Sequence, residues 1–474
     1  MAGSLAGVPG PALQPSSVKA PLESNYITDF DFLNQYLPDT YEKEFERYGN
    51  RTISAFLRMV GAELPTNSDL IKWAEQGRLH TKYQGCTTTN VVGPTPLTTI
   101  PWITAAAEPC NFRVGQTVFI SEEGGANSNK AVVTAVGADT AVGTIDSFEV
   151  AYYEAAQTMA AAAACTVFVY GSEFRQGTNG MEGSLEAEDI FLENKPIIIK
   201  DKYAVNGSDM AQIGWVEVST EDGATGYLWY LKSEHETRLR FDDYLEMSMI
   251  EGVQAQAASG ALAVLSPAPG TTAAGTQGMF EAIQDRGNVW AGGFPVALLD
   301  WDTIIERLDK QGAIQENVVF CNREFSFAID DMLAAQNSYG AGGTSYGLFD
   351  NDEEMALNLG FKGFRRGYDF YKSDWKYLNQ ATLRGGIDGG KVSGVLVPAG
   401  STNVYDQIMG RNAKRPYLHV RYRASETEDR RYKTWITGSA GGARTSDLDA
   451  MEVNFLSERA LCTMGANNFV IFEG

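Results

Sequence analysis

Apolar and polar positions alternate in several short runs between residues 112 and 171, as expected for β-strands that each bury one face. Glycine, asparagine and aspartate separate these runs. The runs are FRVGQTVFI (112–120), KAVVTAV (130–136), TIDSFEVAYY (144–153) and CTVFVYG (165–171). Several short strands joined by regular turns are typical of small barrels. We therefore expect an inserted, small β-barrel-like domain over residues 86–174.

Three short helices are expected ahead of this domain. A side-chain oxygen at the start of each can accept a hydrogen bond from the first turn, and a glycine can end each one. The predicted starts are Asp39, Asn50 and Ser68, and the predicted ends are Gly49, Gly61 and Gly77. Residues 36–85 are interpreted as a helical N-terminal segment that includes helices at 51–60 and 69–76.

The first 24 residues contain four prolines and no aromatic side chain. Such a segment has too little apolar surface to form a core of its own. We interpret residues 1–35 as an N-terminal arm that gains order by lying on another subunit.

A long β-hairpin is expected after the inserted domain, within the extended loop at 175–232. One arm is IFLENKPIIIKDKY (190–203), AVNGSD (204–209) forms the turn, and MAQIGWVEV (210–218) returns. An isolated hairpin is only marginally stable, so this one is expected to rest on a neighbouring subunit or on the body. The residues predicted to contact a neighbouring subunit are Ile197, Ile199, Lys200, Lys202, Ile213 and Trp215.

One long helix follows at about 233–258. Its apolar and small side chains recur at helical spacing and form a single stripe. That stripe comprises Phe241, Tyr244, Leu245, Ser248, Met249 and Gly252. We place this helix in a domain covering 233–300.

The remainder of the chain alternates between helical and strand patterns, which gives the whole an α+β class. A helix is predicted at 301–312, ended by Gly312, and a buried strand at 317–321. Asn322 is expected to cap the next helix. Further strands are predicted at 368–378, 393–400, 417–424 and 467–472. We assign 301–410 to one domain and 411–474 to a return into the preceding one.

The charge balance of 38 basic and 60 acidic residues gives a net charge of −22, which disfavours DNA binding over the whole surface. One basic stretch, residues 411–433, departs from this pattern. It contains Arg421, Arg423, Arg430 and Arg431 with interleaved tyrosines. We interpret these four arginines as contacts to acidic groups of a neighbouring copy. Binding of single-stranded nucleic acid remains the alternative.

No residue pattern indicates catalysis. The five cysteines are scattered without a CxxC pair, and the three histidines lack a metal-binding spacing. The serines offer no GxSxG elbow with downstream Asp and His in a usable pattern, and the Gly-rich loops at 340–347 and 438–443 lack the Lys-Ser/Thr ending of a phosphate-binding loop. We therefore expect no enzyme activity, no cofactor and no metal, and free thiols of a protein made in the cytoplasm. No segment is apolar and long enough for a membrane span.

Taken in order, these elements resemble the Hong Kong 97 fold of tailed-phage major capsid proteins. The strings that carry the resemblance are NKPIIIKDKY, GSDMAQIGW, FSFAIDDML, GVLVPAG and DLDAMEVNFLSERALCTMGANNFVIF. The resemblance implies an N-terminal arm, an extended-loop hairpin, a spine helix in a peripheral domain and an axial domain. Within that family, the chain is most similar to capsid proteins of crAss-like phages, which carry an insertion ahead of the hairpin.

The resemblance implies self-assembly into hexamers and pentamers of an icosahedral shell around double-stranded DNA, and localisation in the virion capsid. Minor or decorating capsid proteins and the portal are the implied partners, and the DNA is enclosed without sequence-specific binding. Two alternatives stay open: an encapsulin-like cellular compartment, and an acidic hydrolase with an appended β-domain.

Overall fold

The computed structural model describes residue 56 and the ranges 62–88, 100–104, 110–124, 127–140, 143–154, 164–186, 189–212, 218–219, 225–226, 229–256, 259–265, 274–312, 314–337, 362–406, 411–442 and 444–474. The predicted arm at 1–35 and the contact residues Ile213 and Trp215 lie outside these residues. The chain forms two compact units; the larger takes in residues 53–201, 240–434 and 455–474, and the smaller includes 202–239 and 435–454.

In the first half of the chain the strands are β1 (Ala62–Thr66), β2 (Ile71–Gln76), β3 (Lys82–Cys86), β4 (Ile100–Ile103), β5 (Gln116–Glu122), β6 (Ser128–Val136), β7 (Ser147–Tyr152), β8 (Cys165–Ser172), β9 (Asp189–Asn194), β10 (Ile197–Asn206), β11 (Val218–Ser219) and β12 (Thr225–Gly226). The helices are α1 (Gly207–Met210), α2 (Trp229–Glu251), α3 (Gly260–Leu265), α4 (Met279–Arg286), α5 (Leu298–Gln311), α6 (Arg323–Asn337) and α7 (Lys376–Asn379). The later strands are β13 (Asn288–Ala291), β14 (Glu316–Cys321), β15 (Gly363–Arg366), β16 (Tyr368–Asp374), β17 (Val392–Pro398), β18 (Ser401–Asp406), β19 (Arg411–Pro416), β20 (Leu418–Arg423), β21 (Lys433–Gly438), β22 (Ala450–Thr463) and β23 (Val470–Glu473).

Strands β3 to β8 form a closed six-stranded antiparallel sheet with the order β3-β8-β5-β6-β7-β4. Thr87, which follows β3, exchanges two backbone hydrogen bonds of 2.9 Å with Ile103 at the end of β4, so the last strand meets the first. Apolar side chains fill the interior, among them Trp102, Phe148, Val118, Ile120 and Val167, all fully buried. A closed antiparallel sheet around an apolar interior has the form expected of a small β-barrel, and its first strand begins at Lys82, before the predicted boundary at residue 86.

A mixed six-stranded sheet with the order β13-β23-β17-β14-β16-β15 lies in the C-terminal half of the chain. One face carries a core that includes Trp301 and Ile304 from α5 and Phe325 from α6. The opposite face belongs to a second core, which also includes side chains of α2, α4 and strands β20 and β22. Parallel and antiparallel pairs coexist in this sheet, which agrees with the predicted α+β class.

A second sheet has the strand order β1-β20-β22-β10, and β21 also pairs with β22. Strand β1 is parallel to β20, and β20 is antiparallel to β22. Leu418, Val420 and Leu461 from this sheet share a core with Val395 and Val397 from the mixed sheet. The final strands of the chain therefore contribute to both sheets.

The helical prediction for residues 36–85 is wrong over its described C-terminal part, which forms β1, β2 and β3. Residues 71–76 were expected to be helical, but their burial alternates along the strand, and they pair antiparallel with β9. Ser68 is not a helix cap. Its hydroxyl donates to the Leu70 carbonyl at 2.9 Å and thereby stabilises a turn.

The predicted hairpin arm at 190–203 is not one strand. Lys195 and Pro196 divide it into β9, which pairs with β2, and β10, which lies beside β22. Proline has no backbone N–H to donate to a ladder, which favours the break at that point. The predicted turn at 204–209 begins as strand and continues as the short helix α1. Residues 213–217 of the returning arm lie outside the described part of the chain.

The long helix is confirmed as α2, which starts before the predicted Ser233 and ends at Glu251, before the predicted end at 258. A side chain at Gly252 would come within 2.6 Å of the carbonyl oxygens of Ser248 and Thr276. Residue 252, which follows the helix, therefore has room only for a glycine. Tyr244, expected on the buried stripe, is exposed, whereas Phe241 and Met249 are fully buried.

Local capping predictions in the C-terminal half are confirmed. Gly312 follows α5 with a φ of 74°, in the left-handed region that glycine adopts without a Cβ penalty. The Phe325 backbone N–H donates to the Asn322 side-chain oxygen at 2.8 Å and caps α6. The strand predicted over 368–378 ends at Asp374, and its last residues form the helical turn α7.

Candidate assembly surfaces

Strand β10 carries four of the residues predicted to contact a neighbouring subunit. Burial alternates along it, so Ile197 and Ile199 pack against the core, whereas Lys200 and Lys202 are exposed. Contact of the two isoleucines with a neighbouring subunit stays a prediction, since each is only partly buried within the chain. Their outward-facing counterpart is Ile198, which is 53% exposed and which the sequence pattern did not single out.

Lys202 has a partner within the same unit. Its ammonium group lies 3.0 Å from the Glu452 carboxylate. This hydrogen bond holds the pKa of the Glu452 carboxyl below its usual value. The Lys202 side chain is 53% exposed and that of Glu452 is 22% exposed, so solvent screens the pair and its contribution to stability is small. Lys200 keeps an exposed position.

Strand β9 presents uncovered apolar side chains on both faces of the two-stranded β2–β9 ribbon. Phe191 is 73% exposed and Ile190 is 58% exposed. Adjacent side chains of a strand point to opposite faces, so neither face of the ribbon is fully covered by the described chain. Large exposed apolar side chains grouped on one element commonly mark an interaction surface. The sequence feature that could have identified this surface is the pair of neighbouring apolar residues, because a strand that buries only one face alternates apolar and polar residues.

The four arginines predicted to contact a neighbouring copy lie close together on and after β20, and acidic side chains of the same chain face them. Arg430 Nε is 2.8 Å from a carboxylate oxygen of Glu458, and Arg423 Nη1 is 3.9 Å from the other carboxylate oxygen. Arg423 also pairs with Asp69, and Arg431 pairs with Glu63. Three of the four guanidinium groups therefore have carboxylate partners within the chain.

The remaining arginine of this group, Arg421, extends a nitrogen to within 3.4 Å of the Pro65 carbonyl oxygen. A further arginine, Arg459, lies 3.5 Å from Glu63 and donates to the Arg431 carbonyl oxygen at 3.0 Å. The guanidinium of Arg431 lies over the Tyr422 ring, 5.5 Å from its centroid. We refer to these five arginines and their three carboxylate partners as the arginine cluster. It joins β1, β20 and β22, and contact with a neighbouring copy through it stays a prediction.

A buried polar group anchors the junction of β9 and β10. The Asn194 amide donates to the Leu461 carbonyl oxygen at 2.6 Å and to the Gln277 carbonyl oxygen at 2.9 Å. Its own oxygen accepts from the Gln277 backbone at 2.9 Å and from the Thr276 hydroxyl at 3.1 Å. One asparagine thus joins the base of the extended segment to β22 and to the start of α4.

The described residues contain no group of three or more His, Cys, Asp or Glu side chains that could hold a metal ion. His419 is buried on β20, with Nδ1 3.3 Å from the Pro416 carbonyl oxygen. Burial raises the pKa of the Cys86 and Cys321 thiols to about 12, which keeps both groups protonated and poorly nucleophilic.

A cluster of three titratable side chains, Glu251, Tyr377 and Arg384, lies at the end of α2. Arg384 binds the Glu251 carboxylate through two nitrogens at 2.8 and 3.2 Å. The Tyr377 hydroxyl donates to the same carboxylate at 2.6 Å. Burial and this hydrogen bond raise the pKa of Tyr377 above its usual range. The cluster fixes the end of the helix on residues 376–387 and has the features of a structural contact.

Among the helices that the structure describes, none combines the length and hydropathy that a membrane span requires.

No family model and no curated protein matches the sequence. Similar solved structures include one from Microbacterium phage Oxtober96, 9% identical, with 94% of this chain and 99% of that chain covered at a TM-score of 0.40. A structure from Gordonia phage Cozz is 9% identical and covers 98% of both chains at a TM-score of 0.38. The capsid of an empty GTA particle is 8% identical, with 95% and 99% covered at a TM-score of 0.38. These TM-scores are low, and function is therefore inferred from the residues of this chain.

Proposed function

We propose that the chain is a shell-forming structural protein with the Hong Kong 97-type arrangement of a tailed-phage major capsid protein. In this proposal, copies associate into hexamers and pentamers of an icosahedral shell around double-stranded DNA. The peripheral domain contains the spine helix α2, and the mixed sheet with α5 and α6 belongs to the axial domain. Membership of the crAss-like group, contact with the portal and contact with minor capsid proteins belong to the same proposal.

The observation that carries the proposal is the order of the elements. An extended segment (β9 and β10) leads through α2 to the mixed sheet, and the last strand, β23, returns to pair with β13 and β17 in that sheet. Strands β20 and β22 return to the sheet that contains β10. From the extended loop through α2 to the mixed sheet, this order supports the arrangement that the sequence resemblance implies, whereas β23 joins the mixed sheet and not, as expected for 411–474, the peripheral domain.

Self-association has a physical basis in uncovered apolar side chains. On β9 and β10 they are Ile190, Phe191 and Ile198, each more than half exposed. On the helices beside the mixed sheet, Leu299 is 74% exposed and Phe327 is 58% exposed. Burial of apolar surface in a large obligate interface supplies most of its binding free energy. We propose that neighbouring copies cover these side chains.

The proposal is tested by negative-stain electron microscopy of the purified full chain. We expect closed shells for the natural sequence and soluble, folded subunits without shells for the double variant Ile190→Ser, Phe191→Ser. The matched control is Ile145→Ser, which replaces a 68% exposed isoleucine on the inserted barrel. Shells of normal yield from the double variant would contradict the role of β9. Monomers or small oligomers of the natural sequence would contradict the shell itself and favour the hydrolase.

The content of shells isolated from their natural source separates the two shell-forming functions. A tailed-phage capsid is expected to contain double-stranded DNA, which gives a high ratio of absorbance at 260 nm to that at 280 nm. A shell filled with an enzyme and free of DNA would favour an encapsulin-like compartment. Both measurements use the same particles that electron microscopy identifies.

A further inference from the structure

Two buried cysteines face each other on neighbouring strands of the barrel. Cys86 is the last residue of β3 and Cys165 is the first residue of β8, and the two are paired in the antiparallel ladder. Both side chains are fully buried and belong to one apolar core, so both point into the barrel. Side chains of directly opposed residues on one face of a sheet are within contact distance. The two thiols therefore lie next to each other.

A β-bulge in β3 places Cys86 opposite Cys165. Ahead of this pair, β3 has one residue more than β8. Gly85 takes up the extra length with a φ of 68°, in the left-handed region that suits glycine, and its backbone N–H donates to the Glu123 carboxylate at 2.8 Å. The Thr166 hydroxyl donates to the same carboxylate oxygen at 3.1 Å. Glu123 thus fixes the bulge from both strands, and Cys86 keeps its inward direction.

The backbone pairing sets the distance between the two cysteines. Thr87 directs its N–H and C=O to Ile103 on β4, so the preceding residue, Cys86, directs its own groups to β8. Cys86 and Cys165 are therefore a hydrogen-bonded pair, whose Cα atoms lie about 5.5 Å apart. Disulfides most often join Cα atoms that are about 5.5–6 Å apart. A bond between the two sulfurs thus needs no large movement of either strand.

The pair lies beside the seam of the barrel, by which we mean the contact between β3 and β4. In the described part of the chain, one isolated bridge forms this seam, the two backbone hydrogen bonds between Thr87 and Ile103. A seam with so few bonds opens more readily than a full ladder. Burial raises the pKa of Cys86 to about 12 and that of Cys165 to about 11, so both thiols are unreactive while the seam is closed.

We propose that Cys86 and Cys165 form a reversible disulfide that holds the seam closed once the protein meets a disulfide oxidant such as oxidised glutathione. When the seam opens, one cysteine thiolate attacks a sulfur of oxidised glutathione and releases the first glutathione thiolate. The second cysteine thiolate attacks the mixed disulfide and releases the other glutathione. The two cysteines give up two electrons and two protons, and the two glutathione thiolates take up the protons.

The bond is expected to be easily reduced. The Cβ atoms of directly opposed residues lie about 4.5–5.5 Å apart, whereas a disulfide requires about 3.5–4.5 Å, so the two strands must draw together. Strained disulfides are the ones that reductants open readily. In a reducing cytoplasm the thiols would stay free, and in a particle released from the cell they would be oxidised. That last consequence rests on the proposed shell function, whereas the bond itself is measured in the full chain whether or not shells form.

Peptide mapping by mass spectrometry without reductant tests the proposal. The full chain is incubated with oxidised glutathione, in buffer and in urea below the unfolding midpoint, where the seam opens transiently. A protease specific for glutamate cuts after Glu108 and so separates Cys86 from Cys110. We expect the peptides of Cys86 and Cys165 to be linked, with a mass lower than their sum by two hydrogen atoms. Dithiothreitol should release them.

Hydrogen exchange provides a second measurement, of the seam itself. A disulfide restricts the opened state, because it keeps the two ends of residues 86–165 together. We expect exchange at β3 and β4 to slow about tenfold or more after oxidation and to recover with dithiothreitol. Cys165→Ala should abolish both the link and the slower exchange. The matched control is Cys321→Ala, because Cys321 is equally buried but lies opposite Asp374 and Gly394.

The outcomes separate this bond from other oxidation of the chain. Cys110 packs against the same core and is the competing partner. A link from Cys86 to Cys110, or no link at Cys86 after incubation in urea, would overturn the proposal. Slower exchange that persists in Cys165→Ala would contradict the role at the seam. The mapping uses the natural sequence, so its result does not depend on the folding of any variant.

Discussion

Replacement of Glu458 by glutamine tests whether the arginine cluster holds one subunit together. Glu458 is 9% exposed, and its carboxylate lies 2.8 Å from Arg430 and 3.9 Å from Arg423. Glutamine retains the length and shape of the side chain but removes its charge. Arg430 and Arg423, which are themselves largely covered, would then lose the carboxylate that lies between them.

The expected change in the free energy of unfolding follows from the burial of the three side chains. Removal of one partner of a buried ion pair costs about 3–5 kcal/mol, whereas a solvent-exposed pair contributes about 0–1 kcal/mol. The side chains of Arg423 and Arg430 are each 29% exposed and that of Glu458 is 11% exposed, which places the cluster between these limits. Arg423 also keeps its pairing with Asp69. We expect Glu458→Gln to lower the free energy of unfolding by about 1–3 kcal/mol.

Urea unfolding of the dissociated subunit, followed by fluorescence, measures this change. A double-mutant cycle with Arg430→Gln isolates the pairwise coupling from the separate effects of the two changes. The matched control is Glu428→Gln, because Glu428 pairs with Lys433 at 2.7 Å where both side chains are more than 40% exposed. We expect the control to leave the midpoint nearly unchanged. If Glu458→Gln left the unfolding midpoint unchanged and abolished shells, the arginines would act between subunits, as their sequence pattern had suggested.

Three further changes have defined outcomes. Asn194→Ala removes the side chain that pairs with backbone groups of Gln277 and Leu461, and we expect it to lower the free energy of unfolding in urea by about 3 kcal/mol or more. The control is Asn206→Ala, because Asn206 is an exposed asparagine at the end of β10. Trp301→Ala empties a site between aromatic rings and should cost about 3–5 kcal/mol by the same measurement. Burial raises the pKa of the Cys86 thiol from 9.0 to about 12. The thiol's contribution to stability is therefore complete below pH 9.0 and decreases as the pH rises towards 12. Between these pH values, the urea concentration at the unfolding midpoint should decrease less with pH in Cys86→Ala than in the natural sequence.

The elements that the sequence predicted correctly depend on signals within a few residues. Burial alternates over much of β6 and over the first half of β8, and the turns between the strands contain glycine, asparagine or aspartate. The end of α5 at Gly312 and the cap of α6 at Asn322 are equally local. Such signals can be recognised in the sequence because residues of the same short segment supply the hydrogen-bond partner or adopt the required backbone conformation.

The incorrect predictions concern elements whose structure depends on distant partners. Residues 71–76 can be written as a short capped helix, but pairing with β9, more than 100 residues later, makes them a strand. Two of the three carboxylate partners of the arginine cluster, Glu63 and Asp69, are also remote, since Asp69 precedes Arg423 by 354 positions. In both cases, the sequence around one partner contains no pattern that identifies the other partner. The basic stretch therefore looked unpaired in the sequence although its carboxylate partners lie in the same chain.

The internal pairing of the arginine cluster changes which forces can hold a shell together. Each copy carries a net charge of −22, so neighbouring copies repel one another at long range. Arginines already bound to carboxylates of their own chain offer little charge to offset this repulsion. The exposed side chains of β9 are apolar, and their contacts act at short range, where salt does not weaken them. Salt does screen the repulsion, because charges separated by more than about 8 Å interact weakly at physiological ionic strength. Association through Ile190 and Phe191 should therefore strengthen with added salt, whereas association through ion pairs between copies should weaken.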